Sequence, residues 1–234
     1  MNSNRIVISG DSILKGVVLN DATRSYTISG RLATEPFSAR YGLEIENKSR
    51  FGSTIGKGLT QLERTLAKNG ECRAVILEYG GNDCDFDWAA IAADPDGEHL
   101  PKTPLPDFCA QLRAAVGALR ARGIDAVLTN LPPISAERYL NWICRAGLDR
   151  DAIIRWLGDV NAIYRYQERY SRAIEAVAAE LGAPCVDLRG EFLRHRQLEP
   201  YLCMDGIHPN EAGQAFIMAA FSAFAEQELR PEAC

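Results

Sequence analysis

A serine, a histidine and an aspartate stand where they could act as one unit. Ser12 follows Ile6-Val7-Ile8-Ser9-Gly10-Asp11. The β-branched residues of that run read as a strand buried on both faces, and Gly10 marks the turn that ends it. A serine just past the carboxyl end of a strand can be a nucleophile if a base and an oxyanion site reach it. The same spot suits a plainer task, since Asp or Ser after a strand commonly caps the next helix. His208 is the matching base, and Asp205, three residues earlier on a tight turn, is the acid that orients its other ring nitrogen. Donors for a developing oxyanion are the Ser12 and Gly52 backbone N–H groups and the Asn82 side-chain amide. Asp11 reads as structural, Asp83 as a brace for its loop, Cys84 as a bystander thiol, and His99 and His195 as surface or loop histidines.

These residues can meet only if the surrounding elements bring them to one edge. Further strands are expected at 43–46, 74–79, 126–129 and 185–188, and a hairpin across 15–29. Helices are expected at 32–41, closed by Gly42, and at 55–68, where Leu59, Leu62 and Leu66 share a face. Another runs from Pro106 to Gly123 on Phe108, Leu112, Val116 and Leu119. A longer one carries Tyr170, Ile174, Val177 and Leu181 to Gly182, and a last one follows Pro209-Asn210 with Phe216, Ala220 and Ala223 inward. Residues 84–106 read as a long connection rich in acids and prolines. Residues 135–166 read as a helical insertion broken near Gly147 and Gly158. Strands alternating with helices call for a parallel sheet covered on both faces. All strand carboxyl ends then lie at one edge, where Gly10-Asp11-Ser12, Gly52, Gly80-Gly81-Asn82-Asp83 and Asp205-Gly206-Ile207-His208 converge.

Composition narrows the class. The chain has 234 residues, 47% hydrophobic and 24% charged, with a net charge of −5, which disfavours general nucleic-acid or anionic-membrane binding. Seven cysteines, at 72, 84, 109, 144, 185, 203 and 234, form no Cys-x-x-Cys pair and read as reduced thiols of a cytoplasmic protein rather than a zinc site or disulfide framework. No signal peptide precedes the first strand, and the apolar run 216–221 is too short to span a bilayer. Arginines and aromatics interleave over 135–172, a pattern that can bind nucleic acid or sugars. A helical packing layer whose arginines pair with Asp149, Asp151, Asp159 and Glu168 accounts for it more simply. Trp142, and Trp88 across from it, are expected at the rim of a substrate pocket.

The four blocks, in order from residue 10 to residue 208, make the chain resemble an SGNH hydrolase of the GDSL esterase superfamily. Gly10-Asp11-Ser12, Gly52, Gly80-Gly81-Asn82-Asp83 and Asp205-x-x-His208 carry the resemblance. Ile13 replaces the family's Leu in the first block. Gly52 is preferred over the nearby Gly56 and Gly58 because it directly follows a strand. The resemblance implies a three-layer α/β/α flavodoxin-like fold with about five parallel strands, and the alternating pattern, with no Gly/Ser/Pro linker dividing it, makes 1–234 a single domain. It also implies hydrolysis of carboxylic esters through an acyl-serine. Short acyl or acetyl esters are the expected substrates, acetylated carbohydrates among them, with no cofactor, metal, nucleic acid or membrane. The alternative is a metal-dependent phosphoesterase holding ions through Asp11, Asn82, Asp83 and His208, but such a site needs several clustered histidines and the chain has three. A non-catalytic carbohydrate-binding relative is disfavoured by the complete set of reactive residues.

Overall fold

The computed structural model describes residues 4–30, 34–70 and 72–228; Cys234 and the expected helix start at Leu32 lie outside them. Five strands form one parallel sheet: β1 (Arg5–Gly10), β4 (Glu44–Asn47), β5 (Ala74–Glu78), β6 (Asp125–Thr129) and β7 (Cys185–Val186), in the order β4-β1-β5-β6-β7. In chain order of the sheet strands this is 2-1-3-4-5, the flavodoxin-like order, and its switch point lies between β1 and β5. Gly10 pairs with Glu78 in that register, so both strands end together at the crevice. The remaining two strands, β2 (Val17–Asn20) and β3 (Ser25–Ile28), form the expected antiparallel hairpin.

One sheet face, through Val7, Val75, Leu77 and Leu128, packs on α3 (Ile55–Asn69), α5 (Leu105–Arg120) and α8 (Ala162–Leu181). Phe108, Leu112, Val116 and Leu119 of α5 are all buried, as their period predicts. The opposite face, through Ile8, Val127 and Val186, packs on α1 (Ser12–Lys15), α9 (Leu188–Leu193) and α10 (Glu211–Glu228). Consecutive residues Val7 and Ile8 thus serve opposite cores, which is why the first strand is apolar without alternation. Burying each such side chain contributes roughly 1.5–3 kcal/mol. A further helix, α2 (Glu35–Tyr41), ends at Gly42 in the left-handed conformation.

A satellite core builds one wall of the site. It joins α4 (Trp88–Ala93), α6 (Ala136–Cys144), α7 (Arg150–Leu157) and the start of α8 around Phe86, Ile91, Leu140 and Ile153. The arginines of this region are mostly held by partners, but rarely the expected ones. Arg165 pairs with Asp159 as anticipated, whereas Arg155 reaches Asp96, Arg150 reaches Glu137, and Glu168 holds Arg189. Asp149 instead caps α7 by accepting from the Ala152 N–H.

Three expectations are corrected. The connection 84–106 contains α4, nucleated by Asp87, whose side chain accepts from the Ala90 N–H. The fifth strand has two residues rather than four, because Asp187 caps α9 by accepting from the Gly190 N–H at 2.8 Å. On α10 the inward residues are Gly213, Gln214, Ile217, Ala220 and Ala225, while Phe216 is half-buried and Ala223 exposed. Gln214 on that inward face disguised its true phase. No helix among the described residues is long and apolar enough to cross a membrane.

Candidate active site

The capping reading of the first loop falls on Asp11 and leaves the Ser12 hydroxyl free of that task. Asp11 is the cap of α1, its Oδ1 accepting from the Ile13 N–H at 2.8 Å, and Ser12 is the first helical residue. The cap pins the turn, and the turn aims Ser12 into the crevice. Being first in the helix, Ser12 has a backbone N–H without an intrahelical acceptor.

The loop before α10 supplies the other two residues. Cys203 N–H donates to the His208 carbonyl at 2.8 Å, and Leu202 bridges Pro209, which closes the loop on itself. Within it, Asp205 Oδ1 accepts from the Ile207 and His208 N–H groups, both at 3.1 Å. Gly206 has φ +76°, and a Cβ there would lie 2.6 Å from the Ser135 carbonyl oxygen, so the turn tolerates glycine only. The outcome is a continuous hydrogen-bonded chain. His208 Nε2 lies 2.9 Å from Ser12 Oγ, and His208 Nδ1 lies 2.7 Å from Asp205 Oδ2. Burial pushes the Asp205 carboxyl up, but the bond to His208, its charge and the two N–H donors outweigh this and hold the group below its usual range.

Asn82 and Gly52 complete the crevice. The Asn82 amide donates to Asp11 Oδ2 at 2.8 Å, which commits one N–H and fixes the side chain beside Ser12. Gly52 lies on the same cavity wall with φ +68°, where an added Cβ would meet nothing; the left-handed backbone, not space, selects glycine. Asp83 braces the loop, its carboxylate accepting from the Ile55 N–H at the start of α3, and burial lifts its pKa to about 6. Cys84 is buried, its thiol bonded to the Gly81 carbonyl and pushed well up by burial, which leaves it inert.

Beneath the nucleophile loop lies a carboxyl that sequence reasoning missed. Glu78 is fully buried at the end of β5, and its Oε2 accepts from the Asp11 N–H at 3.0 Å. Burial first, and the Asp11 charge second, push Glu78 well above its usual carboxyl range, so of the two neighbours Glu78 keeps the proton. Burial likewise raises Asp11, and its hydrogen bonds and the His208 charge offset this only in part. A folded pKa above the unfolded one means that the unfolded chain ionises first as pH rises. The native state therefore loses stability from about pH 4.5 upward on account of this group. Glu78→Gln keeps the acceptor for Asp11 without an ionisable proton. It should match wild type near pH 4.5 and gain on it by ~1.4 kcal/mol per pH unit within the titration window. Urea unfolding at several pH values checks this; a stability difference that stays flat up to pH 8 would contradict a protonated Glu78.

A cavity of about 140 Å³ opens beside Ser12 and is lined by Asn82, Gly52, Leu131, Ile134, Ile163 and Ile207 among others. Trp88 is in its wall, as expected, and is held by a 2.8 Å bond from its indole N–H to Asp85, which also accepts from the Tyr139 hydroxyl at 2.8 Å. Trp142 is not in the wall. It packs with Val18, Leu19 and Cys203 and edge-on to Tyr26, so the expected rim position belongs to Tyr26 and Phe51. Phe51, next to Gly52, stacks on the His208 ring with centroids 5.9 Å apart. Its place beside the second block was a usable signal; Tyr26, Asp85 and Tyr139 carried none.

The histidines needed by the phosphoesterase alternative are scattered. Both ring nitrogens of His208 are engaged by Ser12 and Asp205, His99 bonds the Asp94 carbonyl, and His195 stacks on Phe216. Among the described residues no three His, Cys, Asp or Glu side chains are grouped to hold a metal ion.

The chain belongs to the GDSL-like lipase/acylhydrolase family, whose sequence model matches residues 8–216. The family match places the chain among carboxylic ester hydrolases. Its fold is similar to that of a lipase/acylhydrolase from Enterococcus faecalis, at 18% identity over 100% of both chains and a TM-score of 0.63. It is also similar to an acetylxylan esterase from Geobacillus stearothermophilus, at 18% identity over 96% of this chain and 95% of that one, TM-score 0.63. A psychrotrophic esterase from Pseudoalteromonas sp., solved inhibited by monoethylphosphonate, matches at 16% identity over 97% and 99% of the chains, TM-score 0.61. Among curated proteins no match is found.

Proposed function

We propose that the protein hydrolyses small carboxylic esters through an acyl-Ser12 intermediate. The observation that carries this reading is the unbroken chain Ser12 Oγ–His208–Asp205 facing a cavity lined mainly by apolar side chains. His208 takes the Ser12 proton as Oγ attacks the carbonyl carbon, and Asp205 holds the ring and stabilises its cationic form. The carbonyl oxygen, as it becomes anionic, is met by the Ser12 and Gly52 N–H groups and the uncommitted N–H of Asn82. Collapse returns the proton from His208 to the leaving alkoxide, and water repeats the cycle to release the acid. No metal or cofactor takes part in these steps.

The cavity suits a small acyl or alcohol group, with Trp88 as part of its wall and few polar contacts beyond Asn82, Asp85 and Gln167. A short acyl or acetyl ester fits this better than a lipid aggregate, and the net charge of −5 weighs against anionic membranes and nucleic acid. The free cysteines agree with work in a reducing, cytoplasmic setting. The resemblance to an acetylxylan esterase makes acetylated saccharides worth including beside simple esters. The test is hydrolysis of p-nitrophenyl esters of increasing acyl length and of a panel of acetylated saccharides. Rates should peak at short acyl chains, be unchanged by EDTA, and vanish as an organophosphonate labels Ser12. An adduct on another serine, or loss with EDTA and recovery with Mn²⁺ or Zn²⁺, would overturn the reading.

A further inference from the structure

The β2–β3 hairpin is not part of the central sheet, yet it is fastened to the site at two points. The Leu19 N–H meets Cys203 Sγ at 3.3 Å, and the Ser29 hydroxyl donates to Glu211 at 2.7 Å, at the start of α10. Between these ties, on β3, stands Tyr26. Its hydroxyl donates to Asp205 Oδ2 at 3.1 Å, the same oxygen that accepts from His208 Nδ1 at 2.7 Å. Its ring meets the His208 ring edge-on with centroids 5.2 Å apart, while Phe51 covers the flat of that ring.

We propose that Tyr26 is a positioning residue that sets the proton affinity of His208 by sharing the Asp205 oxygen on which the imidazole leans. Asp205 then has four donors: two backbone N–H groups on Oδ1, and the imidazole and the phenol on Oδ2. A carboxylate oxygen that is already accepting a phenol has less charge left to stabilise an imidazolium. The imidazole thus leans on an oxygen already shared with a second donor, an arrangement that favours the neutral ring a general base needs. Burial, and next the Asp205 charge, push the phenol itself up, so it remains a donor across the working range.

The other groups around this pair are fixed. Asp11 faces His208 from the nucleophile loop, held there by the Ile13 N–H and the Asn82 amide. Arg145, after α6, lies over the Trp142 ring and acts on Tyr26. Arg138 of α6 is spent on the carbonyls of Glu199 and Leu202, Glu211 of α10 bonds Ser29, and Cys203 is a neutral thiol raised to about 11, by burial first. Tyr26→Phe removes one hydroxyl and leaves all of these in place.

This inference rests on the triad reading above, and its test separates the two. In active protein, Tyr26→Phe should move the midpoint of the acid limb of kcat/KM up by about half to one pH unit, a ~3–10-fold loss below the midpoint, with the alkaline plateau kept or raised. Tyr26→Leu, which also lacks the hydroxyl, should shift the limb in the same direction. In Ser12→Ala protein, where chemistry is silent, NMR titration of the His208 imidazole should show the same upward shift when Tyr26→Phe is added. If Ser12→Ala remains active, the triad reading fails. If Ser12→Ala is inactive and neither the limb nor the imidazole titration moves, the role given to Tyr26 fails alone.

Discussion

Ser12→Ala should lower kcat by on the order of 10⁴–10⁶ while leaving the fold intact, a loss that no other single replacement in this protein should exceed. The two halves of that expectation have separate origins. Stability is spared because Asp11, not Ser12, caps α1, so removing the hydroxyl costs no cap. It removes only the bond to His208 Nε2, at a site facing the cavity. Activity is lost because water must then replace an oxygen that the turn already holds in place. His208→Ala should be about as damaging, since an un-ionised serine without a base is a weak nucleophile. The double variant Ser12→Ala/His208→Ala should be scarcely worse than either single one, because the groups act as a unit. Steady-state kinetics on a p-nitrophenyl ester with circular dichroism of each variant measures both halves. Losses that multiply in the double variant would mean that Ser12 and His208 serve different steps. A folded Ser12→Ala protein with more than a small fraction of wild-type kcat would remove Ser12 from the chemistry altogether.

The site was legible in the sequence where its chemistry is local. Asp205 and His208 are three residues apart, and the turn between them needs Gly206, so their pairing could be read from spacing. Ser12, Gly52 and Asn82 each follow a strand, and a parallel sheet brings strand ends to one edge whatever the intervening sequence. What could not be read is set by packing between distant segments. Tyr26 is 179 residues from Asp205, on a hairpin whose exposed strand has no period to betray a functional face. Trp142 looked like a rim aromatic by composition, yet Val18, Leu19 and Cys203 give it an apolar seat outside the cavity. Glu78 sits in a strand of apolar residues, where a carboxyl reads as an anomaly until the Asp11 N–H it receives is seen. The short helices α4 and α9 escaped because each depends on one capping aspartate, Asp87 or Asp187, rather than on a repeat long enough to show a period.

Asn82→Ala is expected to lower kcat by ~10²–10³ with little change in KM. The argument starts from the number of amide hydrogens. Asn82 has two; one is committed to Asp11 Oδ2 at 2.8 Å, and Asp11 is itself fixed by the Ile13 N–H and the buried Glu78. The side chain cannot swing away without breaking that bond, so its second hydrogen stays in the cavity that Ser12 and Gly52 share. A neutral ester carbonyl gains little from such a donor, because water offers it an equivalent bond before binding. The tetrahedral oxyanion gains much more, because its charge is then held by dipoles already oriented, at no cost of reorganisation. The loss should therefore fall on kcat. Asp11→Asn offers an internal check. It weakens the acceptor that holds Asn82 while leaving the Asn82 donor present, so it should cost less than Asn82→Ala and likewise act on kcat. If Asn82→Ala mainly raises KM, Asn82 holds the ground-state substrate and the oxyanion is served by the backbone N–H groups of Ser12 and Gly52 alone.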